Sequence, residues 1–220
     1  MGGIKRDPLL ALMWYRKAAT QGLAAGQYNL GVMLERGDGT PKNVAEAVSW
    51  YRKAADQGLA LAQNGLALVY ASGAGVAKDE SLAVMWFRRA ADQGLAQAQY
   101  NLALAYDKGI GVAKDEAQAV EWYRKSADQG FADAQTNLGY AYATGHGIVK
   151  DDAQAVEWYH KGAEQGDARA QFNLGLSFES GRGVAKDEGQ AIVWYRKAAE
   201  QGDESARKHL DELAARRDKR

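Results

Sequence analysis

The sequence predicts an all-α protein, an array of helix–turn–helix units that repeat every 36 residues. Three observations carry that reading. All six tryptophans (Trp14, Trp50, Trp86, Trp122, Trp158, Trp194) stand 36 residues apart, and an aromatic follows each one (Tyr15, Tyr51, Phe87, Tyr123, Tyr159, Tyr195). Seven residues after each tryptophan comes a Gln-Gly pair, from Gln21-Gly22 to Gln201-Gly202. A Gly-x-Gly recurs at Gly37/Gly39, Gly73/Gly75, Gly109/Gly111, Gly145/Gly147 and Gly181/Gly183. Several markers held in one register mark a repeat architecture. Abundant alanine and only two prolines suit helices, which leaves the 25 glycines as punctuation between them.

The elements follow in chain order. Gly3 to Asp7 matches the end of a Gly-x-Gly loop, so residues 7–21 are predicted as a lone second helix, here helix B, with Asp7 as cap and Pro8 at a first position that tolerates proline. Five full units are placed at 24–59, 60–95, 96–131, 132–167 and 168–203, and a terminal helix at 204–216, all within one array over 1–220. In each unit helix A has apolar or small residues four apart, as at Ala134, Leu138 and Tyr142, and stops at a glycine such as Gly145 that can turn left-handed. Helix B opens at Asp151, with Gln154 three residues on, which predicts a capping box. Asn43/Glu46, Asp115/Gln118 and Asp187/Gln190 repeat the pattern, whereas Asp79 and Asp7 have leucines at the return position. Ala155, Val156, Trp158, Tyr159 and Ala163 form a broad apolar face, and the helix ends at Gly166. Short linkers predict antiparallel neighbours. The charges of the terminal helix (Glu204, Arg207, Lys208, Asp211, Glu212) suit the polar outer face of a cap. Leu9, Leu10 and Met13 stand where most later repeats have polar or small residues, so a preceding helix covers them or they meet a partner, self-association included.

Composition excludes several function classes. With 28 basic and 28 acidic side chains the formal net charge is zero, which argues against nucleic acid as a partner. There is no cysteine for a disulfide, a thiolate metal site or a nucleophile. The longest apolar run, Leu9 to Tyr15, is far short of a bilayer span, so no membrane insertion is expected. That run follows Lys5 and Arg6 but fits the repeat register, so it reads as mature structure and not as a signal peptide. The chain reads as soluble, with cytoplasm and periplasm both compatible. Each Gly-x-Gly follows a helix and lacks the preceding strand of a phosphate cradle, so it is read as a turn. His146, His160 and His209 share no ligand spacing, and the serines lack a nucleophile-elbow setting. Lys78-Asp79 and its equivalents read as loop plus cap, the recurrent tryptophans as core, and the basic tail Arg216 to Arg220 as solvated. No catalytic residue, cofactor or metal site is predicted, and the chain is read as non-enzymatic.

Units such as Ala132-Asp-Ala-Gln-Thr-Asn-Leu-Gly-Tyr-Ala-Tyr, Gly145-His-Gly-Ile-Val-Lys-Asp and Ala155-Val-Glu-Trp-Tyr-His-Lys resemble the Sel-1-like repeat (SLR) family, a relative of the tetratricopeptide repeats. The resemblance runs from residue 3 to about 214. It implies a right-handed α/α superhelical solenoid whose A helices line a concave wall and whose B helices form the outside. It also implies an adaptor, as in bacterial signalling, cell-envelope biology and host contact, or eukaryotic ER quality control. Some bacterial relatives have cysteine pairs in each repeat and are associated with penicillin binding or β-lactamase activity. The absence of cysteine sets this chain apart from that branch.

Positions that are the same in every copy serve the stack, and positions that differ are free of that task. On helix A the variable ones follow one face: Ala25/Leu61/Gln97/Asp133/Arg169, Tyr28/Asn64/Tyr100/Thr136/Phe172, Val32/Leu68/Leu104/Tyr140/Leu176 and Glu35/Ala71/Asp107/Ala143/Glu179. Most of the middle two sets are large and apolar, as contact surfaces are. Tyr28, Val32, Glu35, Asn64, Leu68, Tyr100, Leu104, Asp107, Thr136, Tyr140, Phe172, Leu176 and Glu179 are therefore the candidate partner-binding residues. The expected ligand is a protein or peptide lying along this groove on aromatic anchors, with the acids favouring basic groups. The alternative is a glycan or small molecule of the cell envelope stacked on Tyr28, Tyr100 and Phe172.

Overall fold

The structure, a computed structural model, describes residues 7–217, so the expected loop end at residues 3–6 and the last three residues of the basic tail lie outside the described residues. Among the described residues there are twelve helices and no strand: α1 (Pro8–Thr20), α2 (Ala24–Arg36), α3 (Val44–Asp56), α4 (Ala60–Ser72), α5 (Glu80–Asp92), α6 (Ala96–Lys108), α7 (Glu116–Asp128), α8 (Ala132–Thr144), α9 (Asp152–Glu164), α10 (Ala168–Ser180), α11 (Glu188–Glu200) and α12 (Glu204–Arg217). The fold class is an all-α solenoid of paired helices. The chain divides after Lys114 into two compact units, the first containing α1 to α6 and the second α7 to α12.

Within each unit, helix packs on helix in chain order. The pairs are antiparallel. At the α2–α3 turn the Asn43 amide donates to the Leu34 carbonyl, 2.8 Å away, while mid-helix Gly31 lies against Ala47 and Tyr51. In each unit the core is built on fully buried leucines of successive A helices (Leu30, Leu66 and Leu102 in the first unit; Leu138 and Leu174 in the second), flanked by alanines and the helix B aromatics. Trp86, Trp122, Trp158 and Trp194 are buried, each under the cation of the residue three positions on, as with Lys125 at 3.7 Å from the Trp122 ring centre. Trp14, by contrast, is 54 % exposed on α1.

Helix A ends as expected on left-handed glycines, from Gly37 to Gly181. Helix B opens on Asn or Asp side chains that accept from the first-turn amides, as Asp151 does from Ala153 and Gln154 at 3.0 Å. The capping box, however, is only half-formed. The cap's own amide donates to the end of the preceding helix A, Asp151 to Tyr142 at 2.9 Å and Asp187 to Phe178 at 2.9 Å. With that N–H already engaged, the return side chain bonds elsewhere, Gln154 to Glu157 at 3.2 Å. The second glycine of each Gly-x-Gly is fixed by close approach: a Cβ on Gly183, at φ +69°, would lie 2.0 Å from the Asp152 carbonyl oxygen. These loops therefore clamp the start of the preceding helix B, which confirms them as turns.

The feature that ties successive helix pairs together within each unit is a buried glutamine on helix A. Gln135 donates 3.1 Å to the Ala127 carbonyl at the end of α7 and accepts from Gln165, the C-cap of α9, at 2.7 Å. Gln63 does the same between Ala55 (3.2 Å) and Gln93 (2.7 Å), and Gln171 between Ala163 (3.1 Å) and Gln201 (2.9 Å). At the equivalent point of α12, Arg207 reaches the Ala199 carbonyl at 3.3 Å. Replacing Gln135 with Leu keeps the volume and removes both bonds. Urea unfolding is expected to show a loss of about 1–2 kcal/mol, whereas Gln154→Ala, which removes only the exposed bond to Glu157, stays within about 0.5 kcal/mol of wild type.

Candidate partner-binding surface

The A helices are α2, α4 and α6 in the first unit and α8, α10 and α12 in the second. Neighbouring A helices touch: Asn101 on α6 donates 3.1 Å to Asn64 on α4, and Arg169 on α10 pairs at 2.6 Å with Asp133 on α8. Two of the candidate residues are consequently removed from any partner. Asn64 is 5 % exposed, and Thr136 is 3 % exposed with its hydroxyl turned onto the Ala132 carbonyl at 3.0 Å. Both serve the stack, because a variable position between two A helices is covered by the next helix.

The acids also differ from expectation. Glu35 accepts a 2.6 Å hydrogen bond from the Tyr51 hydroxyl, and Glu179 accepts one of 2.7 Å from Tyr195. Glu179 further lies 3.0 Å from His209 Nδ1 and 3.1 Å from Arg216 Nη1, both on α12. These carboxylates join helix A to helix B and are satisfied internally. Asp107 holds the same register position on α6 and is half-buried. Burial raises the Tyr51 and Tyr195 hydroxyls well above the usual tyrosine range, and the neighbouring glutamates add to the shift. Burial alone would raise Glu179 as well, but the hydrogen bonds from Tyr195 and His209 and the charges of His209 and Arg216 outweigh it, so its carboxyl is held below the usual value.

The apolar candidates sort by exposure. Tyr140 is 56 % and Leu68 43 % exposed, while Tyr28, Val32, Tyr100, Leu104, Phe172 and Leu176 are half-buried. Tyr28 leans on Tyr51 with ring centres 5.7 Å apart. Phe172 rests against Tyr195 (5.7 Å) and edge-on to His209 (5.5 Å), and together with Leu176 it packs on the Tyr195–Leu213 core. Tyr28 and Phe172, two of the three rings expected to stack on a sugar, are thus in contact with rings of their own stack. Beside these residues the second unit has a pocket of about 190 Å³ lined by Tyr140, Ala143, Tyr159, Asn173, Leu176 and Arg182, among others. By sequence Ala143 is one of the variable helix A positions and Tyr159 belongs to the apolar face of helix B, and neither is predicted as a binding residue. The sequence holds Glu35 with Tyr51 and Glu179 with Tyr195 against Ala71 with Phe87, but only the structure shows that the members of each pair touch.

Among the described residues no group of three or more His, Asp or Glu side chains could hold a metal ion. No described helix is long and apolar enough to cross a membrane.

The model of the Sel1 repeat family matches residues 1–23, 24–59, 60–95, 96–131, 132–167 and 168–203. No curated protein matches the sequence. Among solved structures, the chain is similar to a protective antigen of uropathogenic Escherichia coli strains that displays an SLR fold, with 41 % identity, a TM-score of 0.89, and coverage of 93 % of this chain and 44 % of that one. It thus spans less than half the length of that relative. It is also similar to a Sel1 repeat protein from Oxalobacter formigenes (35 % identity, TM-score 0.82, 94 % of this chain and 87 % of that one). An immunity protein from Pseudomonas aeruginosa aligns at 26 % identity and a TM-score of 0.52, over 83 % of this chain and 66 % of that one.

The Glu179 network predicts a pH dependence. A carboxylate with a lowered folded value stabilises fully above its ordinary value of 4.5, and that contribution is lost as pH falls through the folded value. Hydrogen exchange of α10 to α12 should therefore slow between pH 3 and 6, after correction for intrinsic rates. Glu179→Gln should flatten this dependence and speed exchange at pH 7 by roughly tenfold, the loss of about one charge-assisted bond.

Proposed function

The chain belongs to the Sel1 repeat family, and on that premise we propose that it is a protein-interaction scaffold that holds a peptide or a partner's helix along the exposed side of its A helices. The observation that carries this reading is the exposure of Leu68 and Tyr140, large apolar side chains in mid-helix. Around them, Tyr28, Val32, Tyr100 and Leu104 in the first unit and Phe172 and Leu176 in the second are half-covered by the stack and half-open. Such residues are already ordered by their neighbours and lose little conformational freedom on binding, which is what makes rigid anchors effective. Glu35 and Glu179 drop out of the contact set, since their carboxylates are held by tyrosines. Leu9, Leu10 and Met13 on α1 are exposed and offer a separate surface for self-association.

The reading is tested by affinity capture with the intact chain and a Leu68→Ala/Tyr140→Ala variant whose helicity is unchanged. The scaffold reading expects a protein retained by wild type and held at least about tenfold more weakly by the variant, because each truncated anchor removes hot-spot contact. Equal retention by both would move the contact elsewhere. Light scattering on the same samples separates self-association, since a dimer that Met13→Glu converts to monomer would place the interface on α1.

A further inference from the structure

We propose that the second unit contains a carboxylate-binding socket, lined by Tyr159 and Arg182 and left open because Ala143 stands where other repeats have an acid. Where the last residues of helix A include a glutamate, the helix B tyrosine donates to it, at 2.6 Å for Tyr51 to Glu35 and 2.7 Å for Tyr195 to Glu179. Where that acid is Ala71, the aromatic is Phe87, and hydroxyl and acceptor are absent together. At Ala143 the acid is gone and the hydroxyl remains. Tyr159 is only 5 % exposed, and its hydroxyl has no hydrogen-bond partner among the described residues. The ring is buried, but the hydroxyl is not itself enclosed: it faces the pocket, where a ligand can accept from it.

The space vacated by the missing acid is the pocket of about 190 Å³, large enough for a carboxylate on a short aliphatic stem. Its polar groups favour an anion at the tyrosine. Arg182 lines the pocket and makes no ion pair among the described residues. Asp152, the one acid of the lining, is paired with Lys150 at 3.4 Å. The hydroxyls of Thr144 and Ser180 are turned onto the carbonyls of Tyr140 (2.8 Å) and Leu176 (2.7 Å), so they do not compete as donors. Burial, then the neighbouring Tyr140 and Asp152, keep the Tyr159 proton on at neutral pH, and the hydroxyl stays a donor. The incoming carboxylate supplies from outside the acceptor that Glu35 and Glu179 supply from within.

That carboxylate belongs to a small free acid or to an acidic side chain of a bound peptide, and two probes separate them: glutarate, and an end-capped Ala-Glu-Ala tripeptide. Each is titrated into the full chain and followed by amide NMR shifts. The socket predicts saturable shifts confined to the surroundings of Ala143, Tyr159 and Arg182 with at least one probe, and the tighter probe identifies the source. Tyr159→Phe, a change the fold already accommodates at Phe87, should weaken binding roughly tenfold or more, as should Arg182→Gln. Ala143→Glu should fill the socket, abolish binding and raise the melting temperature. The proposal is overturned if neither probe gives local saturable shifts, if Tyr159→Phe binds as wild type does, or if Ala143→Glu lowers the melting temperature and leaves binding intact. The socket borders the scaffold surface, since Tyr140 and Leu176 line it, and Tyr159→Phe separates the two readings because it leaves both of those side chains and Leu68 in place.

Discussion

The stack depends on a buried amide. Each helix A from α2 to α10 carries a glutamine whose side chain donates to the last turn of the preceding helix B, and in both units such a side chain also accepts from the glutamine capping the following helix B, as at Gln63 and Gln135. Three consecutive helices are thereby held by one residue. Apolar contacts among alanines and leucines are non-directional and would tolerate sliding of one helix along the next. A buried amide with both ends satisfied does not, because any shift leaves a donor or an acceptor without a partner in a low-dielectric interior. The buried leucines, alanines and aromatics supply the driving force, and the glutamines set the register in which it is realised.

A second set of polar contacts varies from repeat to repeat, and varies in pairs. Arg52 donates to Tyr70, Arg88 to Tyr106, and Arg124 to Tyr142 at 2.7 Å, while His160 has replaced the arginine where Phe178 has replaced the tyrosine. The Glu–Tyr pairs behave alike at 35/51 and 179/195, with Ala71 and Phe87 as the jointly apolar version. Both partners change together because losing one alone strands a buried polar group. Within the Glu–Tyr set, Ala143 with Tyr159 keeps the hydroxyl without the acid, and its neighbours at 35/51 and 179/195 show what the matched state looks like.

Much of this was legible without coordinates. The 36-residue spacing of the tryptophans fixed the unit length, and Asp151 and Gly145 marked where helix B begins and helix A ends, because caps and left-handed glycines are local requirements. The roles of Gln135 and Glu179 were not legible. Their partners lie 8, 16 and 30 residues away on neighbouring helices, and a one-dimensional pattern shows that a residue recurs without showing what it touches. Asn64 and Thr136 were misread for a related reason: variability between copies signals freedom from the shared contacts, and exposure is a separate property. The capping box failed at the return arm of Gln154 because the amide it would reach is already donated to Tyr142, a constraint that arises only once helix A is in place.

Arg207 gives the glutamine relay a direction. Glutamine both donates and accepts, so each one passes the connection on, like a bifunctional monomer in a growing polymer. A guanidinium has donors and no acceptor, and Arg207 takes hold of the Ala199 carbonyl without offering an oxygen to another glutamine. It is the monofunctional reagent that stops such a chain growing. Any attempt to graft further units beyond α12 would therefore begin by restoring glutamine at position 207, and the length of a synthetic array could be set by where that single substitution is made.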